Sequence, residues 1–304
     1  MNTMKKLALI LFSAAAVMSC NKASYKKTAG GMPYQVYKGK GKEPIRAGNF
    51  VKVQLTQKIK DSVYFTTEGK LPIFLQVTEN PQPYDLAELW TSLRVGDSVV
   101  ATQMMDTFIR RTPQNIAPQF KKGDRIITYI KVLGVFANDS LARIDDQKSK
   151  KEWMDNEVKF VEQYLAGKNI QAQKTRSGAF VQTISPGTGN LIDSGKYISV
   201  NYTGRTFAGV EFDSNTDTAF HHTEPYSFVV MSGAMIKGFD EAMTLMRQGT
   251  VAKVYIPSLL AYGPSPTSPL IKPYEHLMFD IEIKNVQDKE PAPVNQPPVQ
   301  RPQQ

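Results

Sequence analysis

Few residues of this 304-residue chain are of types that carry out covalent or metal chemistry. It has one cysteine, Cys20, which excludes internal disulfides and cysteine-based zinc sites. Two of its three histidines, His221 and His222, are adjacent, so they project differently and predict at most a weak metal site. Gly187-Thr188-Gly189 lacks the lysine and the helix start of a phosphate loop. No Ser-His-Asp or Cys-His arrangement can be assembled, and we expect neither a metal nor a cofactor.

The setting of Cys20 indicates export and lipid attachment. Lys5 and Lys6 precede an apolar run, Leu7–Val17, which is too short for a permanent membrane span and has the length of a signal-peptide core. The run ends in Val17-Met18-Ser19-Cys20, which resembles a bacterial lipobox and implies that the cysteine is lipidated. The alternative is an ordinary signal peptide with a chance cysteine. We expect a protein lipid-anchored in the bacterial cell envelope, in the outer membrane and facing the periplasm.

The positive charge of the chain is concentrated beside this anchor. The chain has 37 Lys and Arg against 28 Asp and Glu, a net charge of +9. Residues 21–60 contain ten of the basic residues against Glu43 alone. A nucleic-acid binder would instead carry basic residues on a folded face among base-stacking aromatics, so we expect no nucleic-acid partner. A solvated tether and first strand explain the excess; attraction to anionic headgroups is the alternative.

Hydropathy patterns predict two β-rich units. Apolar and polar residues alternate over 51–56 in the first unit and, most regularly, over 277–284 in the second, as in half-buried antiparallel strands. Helical spacing predicts one short helix in each unit, over 86–93 and 236–247.

A longer amphipathic helix of about five turns is predicted between the units, ending near Gly167. Its apolar stripe consists of Met154, Val158, Val161 and Leu165. The predicted domains are a signal peptide (1–20), a flexible tether (21–32), a first globular domain (33–137), a linking helix (138–178), a second globular domain (179–287) and a disordered Pro/Gln-rich tail (288–304).

The second unit resembles the FKBP-type peptidyl-prolyl cis-trans isomerases through an ordered series of short motifs. They are Ile184-Ser185-Pro186-Gly187-Thr188-Gly189, Val200-Asn201-Tyr202-Thr203-Gly204, Phe212-Asp213-Ser214, Pro225-Tyr226-Ser227-Phe228, Met235-Ile236-Lys237-Gly238-Phe239, Ala261-Tyr262-Gly263, Leu270-Ile271-Lys272-Pro273 and Phe279-Asp280-Ile281-Glu282. Each motif is weak alone, but their order and spacing are specific. The resemblance implies an antiparallel sheet wrapped around a short helix.

The first unit is similar to a degenerate copy of the same fold. Val51–Thr56 would correspond to the Val200–Thr203 strand, and Phe65-Thr66-Thr67 to Phe212-Asp213-Ser214. No tyrosine stands in the first strand, Thr66 replaces the aspartate and no Ala-Tyr-Gly motif occurs. We therefore expect an α+β chain of two FKBP-like domains joined by a helix, with the first domain a binding or spacing module.

By this resemblance, an aromatic pocket binds the prolyl segment of the substrate. Phe239 would form its floor, Asp213 would place a carboxylate near the rotating bond, and the Tyr262 hydroxyl and the Ile236 N–H would bind substrate carbonyls. The other pocket residues implied are Tyr202, Phe212, Tyr226, Phe228, Met235, Leu270, Ile271 and Phe279. The best-known members have tryptophan at the floor, so Phe239 predicts reduced activity or altered preference. The alternative for Phe228 and Phe279 is a purely structural core role.

The function implied by the resemblance is peptidyl-prolyl isomerisation that assists the folding of exported proteins. Rotation about a prolyl amide needs no nucleophile or metal, only tighter binding of the twisted amide than of the planar one. The expected partners are proline-containing unfolded or exported polypeptides, the membrane through the lipid anchor, and macrolide inhibitors. The alternatives are a non-catalytic peptide-binding chaperone and a structural envelope lipoprotein. The sequence leaves the oligomeric state open.

Overall fold

The computed structural model describes residues 25–118 and 120–291. They form two compact units that divide after Ser149, each built on one seven-stranded antiparallel sheet. The predicted signal peptide, with Cys20, and most of the predicted tail lie outside the described residues. Within the two described ranges, no helix is long and apolar enough to cross a membrane.

The first unit packs its sheet against a short 3-10 helix, Leu86–Ser92. Asp85 begins this helix, because its carboxylate accepts a 2.8 Å hydrogen bond from the Ala87 N–H. Leu89 and Trp90 from the helix lie in one core with the inward residues of the sheet. The remaining elements are β1 (Lys26–Lys27), β2 (Pro33–Tyr37), β3 (Phe50–Ile59), β4 (Ser62–Thr66), β5 (Ile73–Gln76), β6 (Ser98–Met104), α1 (Met105–Arg111), a 3-10 turn (Pro113–Asn115) and β7 (Arg125–Phe136).

Helix α2 (Asp139–Gly167) has 29 residues and is longer than predicted. Asn138 precedes it and its side chain accepts a hydrogen bond from the Leu141 N–H, which lets the helix begin in polar sequence far ahead of the apolar stripe. The stripe itself is confirmed in the second half of the helix. There Val158, Val161 and Leu165 are buried in one cluster with Phe180 and Tyr255.

The second unit packs its sheet against α3 (Lys237–Met243). Gly238 allows close packing of α3, because a Cβ at this position would lie 2.4 Å from Ile256 Cγ2. The remaining elements are β8 (Gln173–Lys174), β9 (Phe180–Thr188), β10 (Tyr197–Thr206), β11 (Glu211–Ser214), a 3-10 turn (Thr218–Phe220), β12 (Tyr226–Val229), β13 (Gln248–Ile256), a 3-10 turn (Ser258–Leu260) and β14 (Leu277–Gln287).

The two sheets have the same strand order. The first runs β1-β2-β6-β7-β3-β4, with β5 also paired to β3; the second runs β8-β9-β13-β14-β10-β11, with β12 also paired to β10. Each strand of the first unit therefore has one counterpart seven strands later. The predicted α+β class, with the same fold used twice, is confirmed.

The irregularities in the sheets also recur and fix the residue correspondence between the domains. The β3–β7 register shifts at Lys52/Val53 and the β10–β14 register at Ser199/Val200. The register of β3 against β4 also shifts, at Gln57/Lys58, and that of β10 against β11 shifts at the corresponding position, Gly204/Arg205. This register places Leu55 where the second domain has Tyr202.

The same register corrects one detail of the sequence comparison. Phe65, rather than Thr66, occupies the position of Asp213, because Gln57 pairs with Phe65 as Gly204 pairs with Asp213. The turn of this hairpin is one residue shorter in the first domain than in the second, which the sequence pattern alone did not reveal.

Two other boundaries differ from the prediction. The tether predicted over 21–32 is structured in its described part, since Lys26–Lys27 pairs with Pro33–Tyr34 and Met32 is fully buried in the first core. The helix predicted over 236–247 is limited to α3, and single turns continue the chain from Thr244 to Met246.

Candidate active site

A cluster of aromatic rings lies between α3 and the second sheet, with Phe239 at its centre. The Phe239 ring is fully buried. Its centroid lies 5.1 Å from that of Phe279, 6.1 Å from Phe228 and 6.3 Å from Tyr202. The contacts with Phe279 and Tyr202 are edge-to-face, the geometry that aromatic quadrupoles favour. Since Phe239 has no exposed surface, a ligand could touch its ring only if the side chains around it moved apart.

Gly204 is the backbone position that makes room for two of these rings. It lies on β10 opposite Phe279 of β14. A Cβ at Gly204 would lie 2.6 Å from Phe212 Cζ and 2.8 Å from Phe279 Cε1, closer than carbon atoms approach. Without it, the Phe212 and Phe279 rings meet edge-to-face at 5.7 Å.

Asp213 lies beside the cluster with both carboxylate oxygens in hydrogen bonds. The Tyr202 hydroxyl donates to Asp213 Oδ2 at 2.7 Å, and His222 Nε2 lies 2.9 Å from Asp213 Oδ1. Burial, reinforced by the hydrogen bond to the carboxylate, raises the pKa of Tyr202 well above its usual value. The phenol is therefore a protonated donor at neutral pH, and it fixes the direction of the carboxylate.

A structured loop brings His222 to Asp213. Asn215 is buried and donates to the carbonyl oxygens of Val200 and Glu224, which ties both ends of the loop to the sheet. His221 has a left-handed backbone (φ 59°), and this turn directs the next residue back toward β11. Sequence reasoning treated the histidine pair only as a weak metal site. Among the described residues, no group of three ligands could hold a metal ion.

Tyr262 and Ile236 supply the polar groups at the rim. Burial and the charge of Asp213 raise the pKa of Tyr262, and a hydrogen bond with Thr267 opposes them in part, so the hydroxyl remains protonated. Ile236 immediately precedes α3, and its carbonyl accepts hydrogen bonds from the first turn. Within the described ranges its own N–H has no acceptor, which leaves a donor for a ligand.

The turn before Tyr262 is held by a residue of α2. Glu157 is buried, and its carboxylate accepts hydrogen bonds from the Ser258 hydroxyl and from the Leu259 N–H. The Trp153 indole N–H donates to the same carboxylate at 2.7 Å. Neither Glu157 nor Trp153 was predicted to have this role, because helical spacing assigns residues to a face but not to a partner loop.

The remaining predicted pocket residues are divided between core and surface. Tyr202, Phe212, Phe228, Ile271 and Phe279 are buried members of the cluster, while Met235, Ile236 and Tyr262 are partly buried against it. Tyr226 and Leu270 are 44% and 49% exposed. All twelve predicted residues belong to the second domain.

The first domain has none of the polar or aromatic site residues at the positions for which strand register gives a counterpart. Leu55, Phe65, Ile73, Leu75 and Thr128 replace Tyr202, Asp213, Tyr226, Phe228 and Phe279, respectively. Leu55 and Thr128 are buried, so these replacements serve packing in the first domain.

The comparisons with known proteins agree with this geometry. Residues 189–284 match the family described as FKBP-type peptidyl-prolyl cis-trans isomerase. An FK506-binding protein of Neisseria meningitidis serogroup B is 33% identical over 109 residues, which are 36% of this chain and 96% of that relative. The chain belongs to the FKBP-type peptidyl-prolyl cis-trans isomerase family. It is an isomerase with an FKBP domain in its second unit.

Two other relatives and one solved structure are also similar to this chain. The macrophage infectivity potentiator of Trypanosoma cruzi is 36% identical over 151 residues, covering 47% of this chain and 72% of that relative. The isomerase Mip of Coxiella burnetii is 33% identical over 125 residues, covering 41% and 52%. An isomerase structure from Pseudomonas syringae is 29% identical with a TM-score of 0.36, covering 44% of this chain and 96% of that one.

Proposed function

We propose that the aromatic cluster of the second domain binds Xaa-Pro segments of exported polypeptides and accelerates rotation about the prolyl amide. The planar amide is stabilised by charge separation between its oxygen and nitrogen, and rotation must remove this resonance against a barrier of about 18–20 kcal/mol. The twisted amide carries less charge separation, so transfer into an apolar aromatic site penalises it less than the planar form.

Asp213 and the rim donors would orient the substrate around the rotating bond. With Tyr202 and His222 on its two oxygens, the Asp213 carboxylate has a fixed direction and can act on the amide dipole. It abstracts no proton in this proposal. The Tyr262 hydroxyl and the Ile236 N–H would bind flanking carbonyls, which restricts the peptide to conformations close to the transition state.

The observation that carries this proposal is the hydrogen bond from Tyr202 to Asp213 beside a ring cluster. A carboxylate has no packing reason to lie beside four aromatic side chains, and its donor is a buried phenol whose hydroxyl needs a partner. The first domain keeps the sheet and loses both members, with Leu55 and Phe65 in their places. We propose that the first domain is a non-catalytic binding or spacing module.

A proline-limited refolding assay tests the catalytic proposal. The chain beginning at Asn21 should accelerate refolding. Asp213→Ala combined with Tyr262→Phe should lower the acceleration at least about ten-fold, because it removes the carboxylate that acts on the amide dipole and one hydrogen bond to a substrate carbonyl. The matched control is Phe65→Ala, at the position of the first domain that corresponds to Asp213, which should leave the rate unchanged. Absence of acceleration by the unmodified chain would favour the peptide-binding chaperone, and equal acceleration by the double variant would remove Asp213 and Tyr262 from the mechanism.

The place of action is also proposed from the sequence. Cys20 and its preceding apolar run support an exported protein held by a lipid anchor. Metabolic labelling with radioactive palmitate in a bacterial host should label the full chain and not a Cys20→Ser variant. Equal labelling of both would exclude Cys20 as the acylated residue.

A further inference from the structure

The outward face of the first sheet differs from that of the second sheet in a way that points to a ligand. In the second domain, Asp280 on this face forms ion pairs with Arg205 and Lys253 from the neighbouring strands. The register places Tyr129, Lys58 and Val100 at the corresponding positions of the first domain. An ion-pair network that satisfies its own charges is thus replaced by an aromatic ring, an apolar side chain and a lysine.

Tyrosine and lysine side chains share this face, which we call the Tyr/Lys face. It is formed by Lys27, Tyr37, Lys58, Tyr129 and Lys131, which the alternation of β1, β2, β3 and β7 places on the side opposite the core. Tyr37 and Tyr129 are 52% and 41% exposed, so both rings present a large part of their surface to solvent. In the part of the chain that the structure describes, none of the three lysines forms a salt bridge.

The face also has a depression between the two tyrosines. A cleft of about 410 Å³ is lined by Tyr37, Tyr129 and Lys131, with Ser98 and Val100 below. Lys58 Nζ lies 5.5 Å from the centroid of the Tyr129 ring, so the cation is held above the aromatic surface. The acidic Glu68 also lines the cleft, and Lys131 is the one lysine in its lining. With Lys58 over the Tyr129 ring and Lys131 in the cleft, this part of the face offers aromatic surface and two cations to an anionic, amphipathic partner.

Charge distinguishes this domain from its neighbour and identifies the partner. Residues 25–149 contain 19 Lys and Arg against 12 Asp and Glu, a net charge of +7, whereas residues 150–291 contain 14 against 16, a net charge of −2. Tyrosine rings with interspersed lysines are the composition that lies at the interface between lipid headgroups and acyl chains. A surface of anionic lipids complements both features, and lysines close to it gain attraction that salt screens.

The position of the chain outside the described residues agrees with this partner. The described structure begins at Tyr25, which is 61% exposed and precedes Lys26 on the edge strand β1. Four residues lie between Cys20 and Tyr25, so the two are at most about 18 Å apart in extended chain. Lipidation at Cys20 would therefore hold the first domain within reach of the headgroups.

We propose that the Tyr/Lys face of the first domain is a docking surface for anionic lipid headgroups. It would lay this domain on the membrane and so use a fold without an active site as a lipid-contact module. The inference is separate from the proposed isomerase activity, because its residues lie in the first domain and its readout is lipid binding.

Vesicle binding without the anchor tests this proposal. The chain beginning at Asn21 retains every described residue and lacks Cys20. It should sediment with phosphatidylcholine vesicles that contain 30% phosphatidylglycerol, at least about ten-fold more than with phosphatidylcholine alone, and high salt should release it. Absence of binding, or equal binding to both vesicles, would overturn the proposal and leave a protein partner as the occupant of the face.

Paired variants test whether the face or the overall charge is responsible. Lys58→Gln with Lys131→Gln should lower the partition coefficient about 25-fold, since each lysine near an anionic surface contributes about five-fold. Lys42→Gln with Lys122→Gln removes the same charge from exposed positions off the face and should cause a much smaller change. Tyr37→Ser with Tyr129→Ser should also weaken binding without changing its salt dependence. Equal loss in the two lysine pairs, or no loss in the tyrosine pair, would reject the Tyr/Lys face.

Discussion

Tyr202 and Asp213 are joined by a 2.7 Å hydrogen bond across the neighbouring strands β10 and β11. The phenol ring is buried against Phe239 and Phe279, while the carboxylate is 39% exposed at the edge of the cluster. Packing therefore fixes the position of Tyr202, and the hydrogen bond from Tyr202 fixes that of Asp213. The aromatic core thus determines where the carboxylate of the site lies.

Removal of the Tyr202 hydroxyl should impair catalysis more than folding. Tyr202→Phe keeps the ring contacts and deletes the donor to a partly exposed carboxylate, which is worth about 1–2 kcal/mol in stability. We expect kcat/KM to fall about five- to twenty-fold, because the Asp213 carboxylate would lose the hydrogen bond that orients it. Urea unfolding and the refolding assay measure the two effects. An unchanged kcat/KM would show that the orientation of Asp213 does not matter.

His222 should act as a positioning residue for Asp213. His222→Ala should lower kcat/KM about three- to ten-fold, the effect of one lost hydrogen bond, with little loss of stability because the side chain is 47% exposed. His222→Gln offers an amide nitrogen at a similar reach and should restore most of the rate. His221→Asn, which suits the left-handed backbone, is the matched control and should leave catalysis unchanged. Failure of the glutamine to restore activity would argue against positioning.

Gly204→Ala should disrupt the ring cluster directly. The added methyl group would overlap Phe212 and Phe279, so we expect a loss of about 1–3 kcal/mol from overpacking and a marked fall in activity. Gly167→Ala, at the end of α2 with no atom within 4 Å of the added carbon, is the control and should be neutral or slightly stabilising. Differential scanning calorimetry of both variants measures the difference. Similar melting curves would show that the rings can shift without cost.

The second domain should lose stability in mild acid through His276. Burial lowers the pKa of His276, against the opposing charges of Glu157 and Glu275, and its Nδ1 accepts a 3.1 Å hydrogen bond from the Ser258 N–H. The unfolded chain then binds a proton near pH 6.5 that the folded chain binds only at lower pH. The contribution of neutral His276 is complete above about pH 6.5 and is lost as the pH falls toward its lowered pKa.

His276→Asn provides the comparison for this effect. Asparagine retains an acceptor near the position of Nδ1 and has no proton to bind in this range. Urea unfolding between pH 7 and pH 5 should show a shallower decline for the variant, by up to about 1.4 kcal/mol per pH unit. Parallel declines would assign the acid sensitivity to other groups.

The sequence predicted the structure best where apolar residues recur at the spacing of a strand or of a helix and so form one buried face. The alternation over 277–284 predicted β14, and the apolar stripe ending at Leu165 predicted the buried half of α2. The resemblance to the FKBP family also named aromatic residues that lie together in one cluster of the second domain. These predictions depend on which side chains are buried, and the order of apolar and aromatic residues in the sequence reflects that burial.

Contacts between loops and elements could not be predicted. His222 was given no role beside Asp213, because nothing in the pattern shows that the loop turns back at His221 toward β11. The correspondence of Phe65 with Asp213 was missed by one residue because the turn of the first hairpin is one residue shorter, and the sequence motif does not show the length of the turn. Met32 was predicted to lie in a flexible tether, because the polar residues around it do not show that its side chain is buried in the core of the first domain.

Glu157 makes the loop before Tyr262 depend on a distant part of the chain. Its buried carboxylate holds Ser258 and Leu259, which follow it by about 100 positions. A fragment that begins at β8 keeps all twelve predicted site residues but lacks Glu157. Such a fragment should therefore fold with a less ordered loop before Tyr262, so the shortest piece that contains the site is not the shortest piece that holds it in shape.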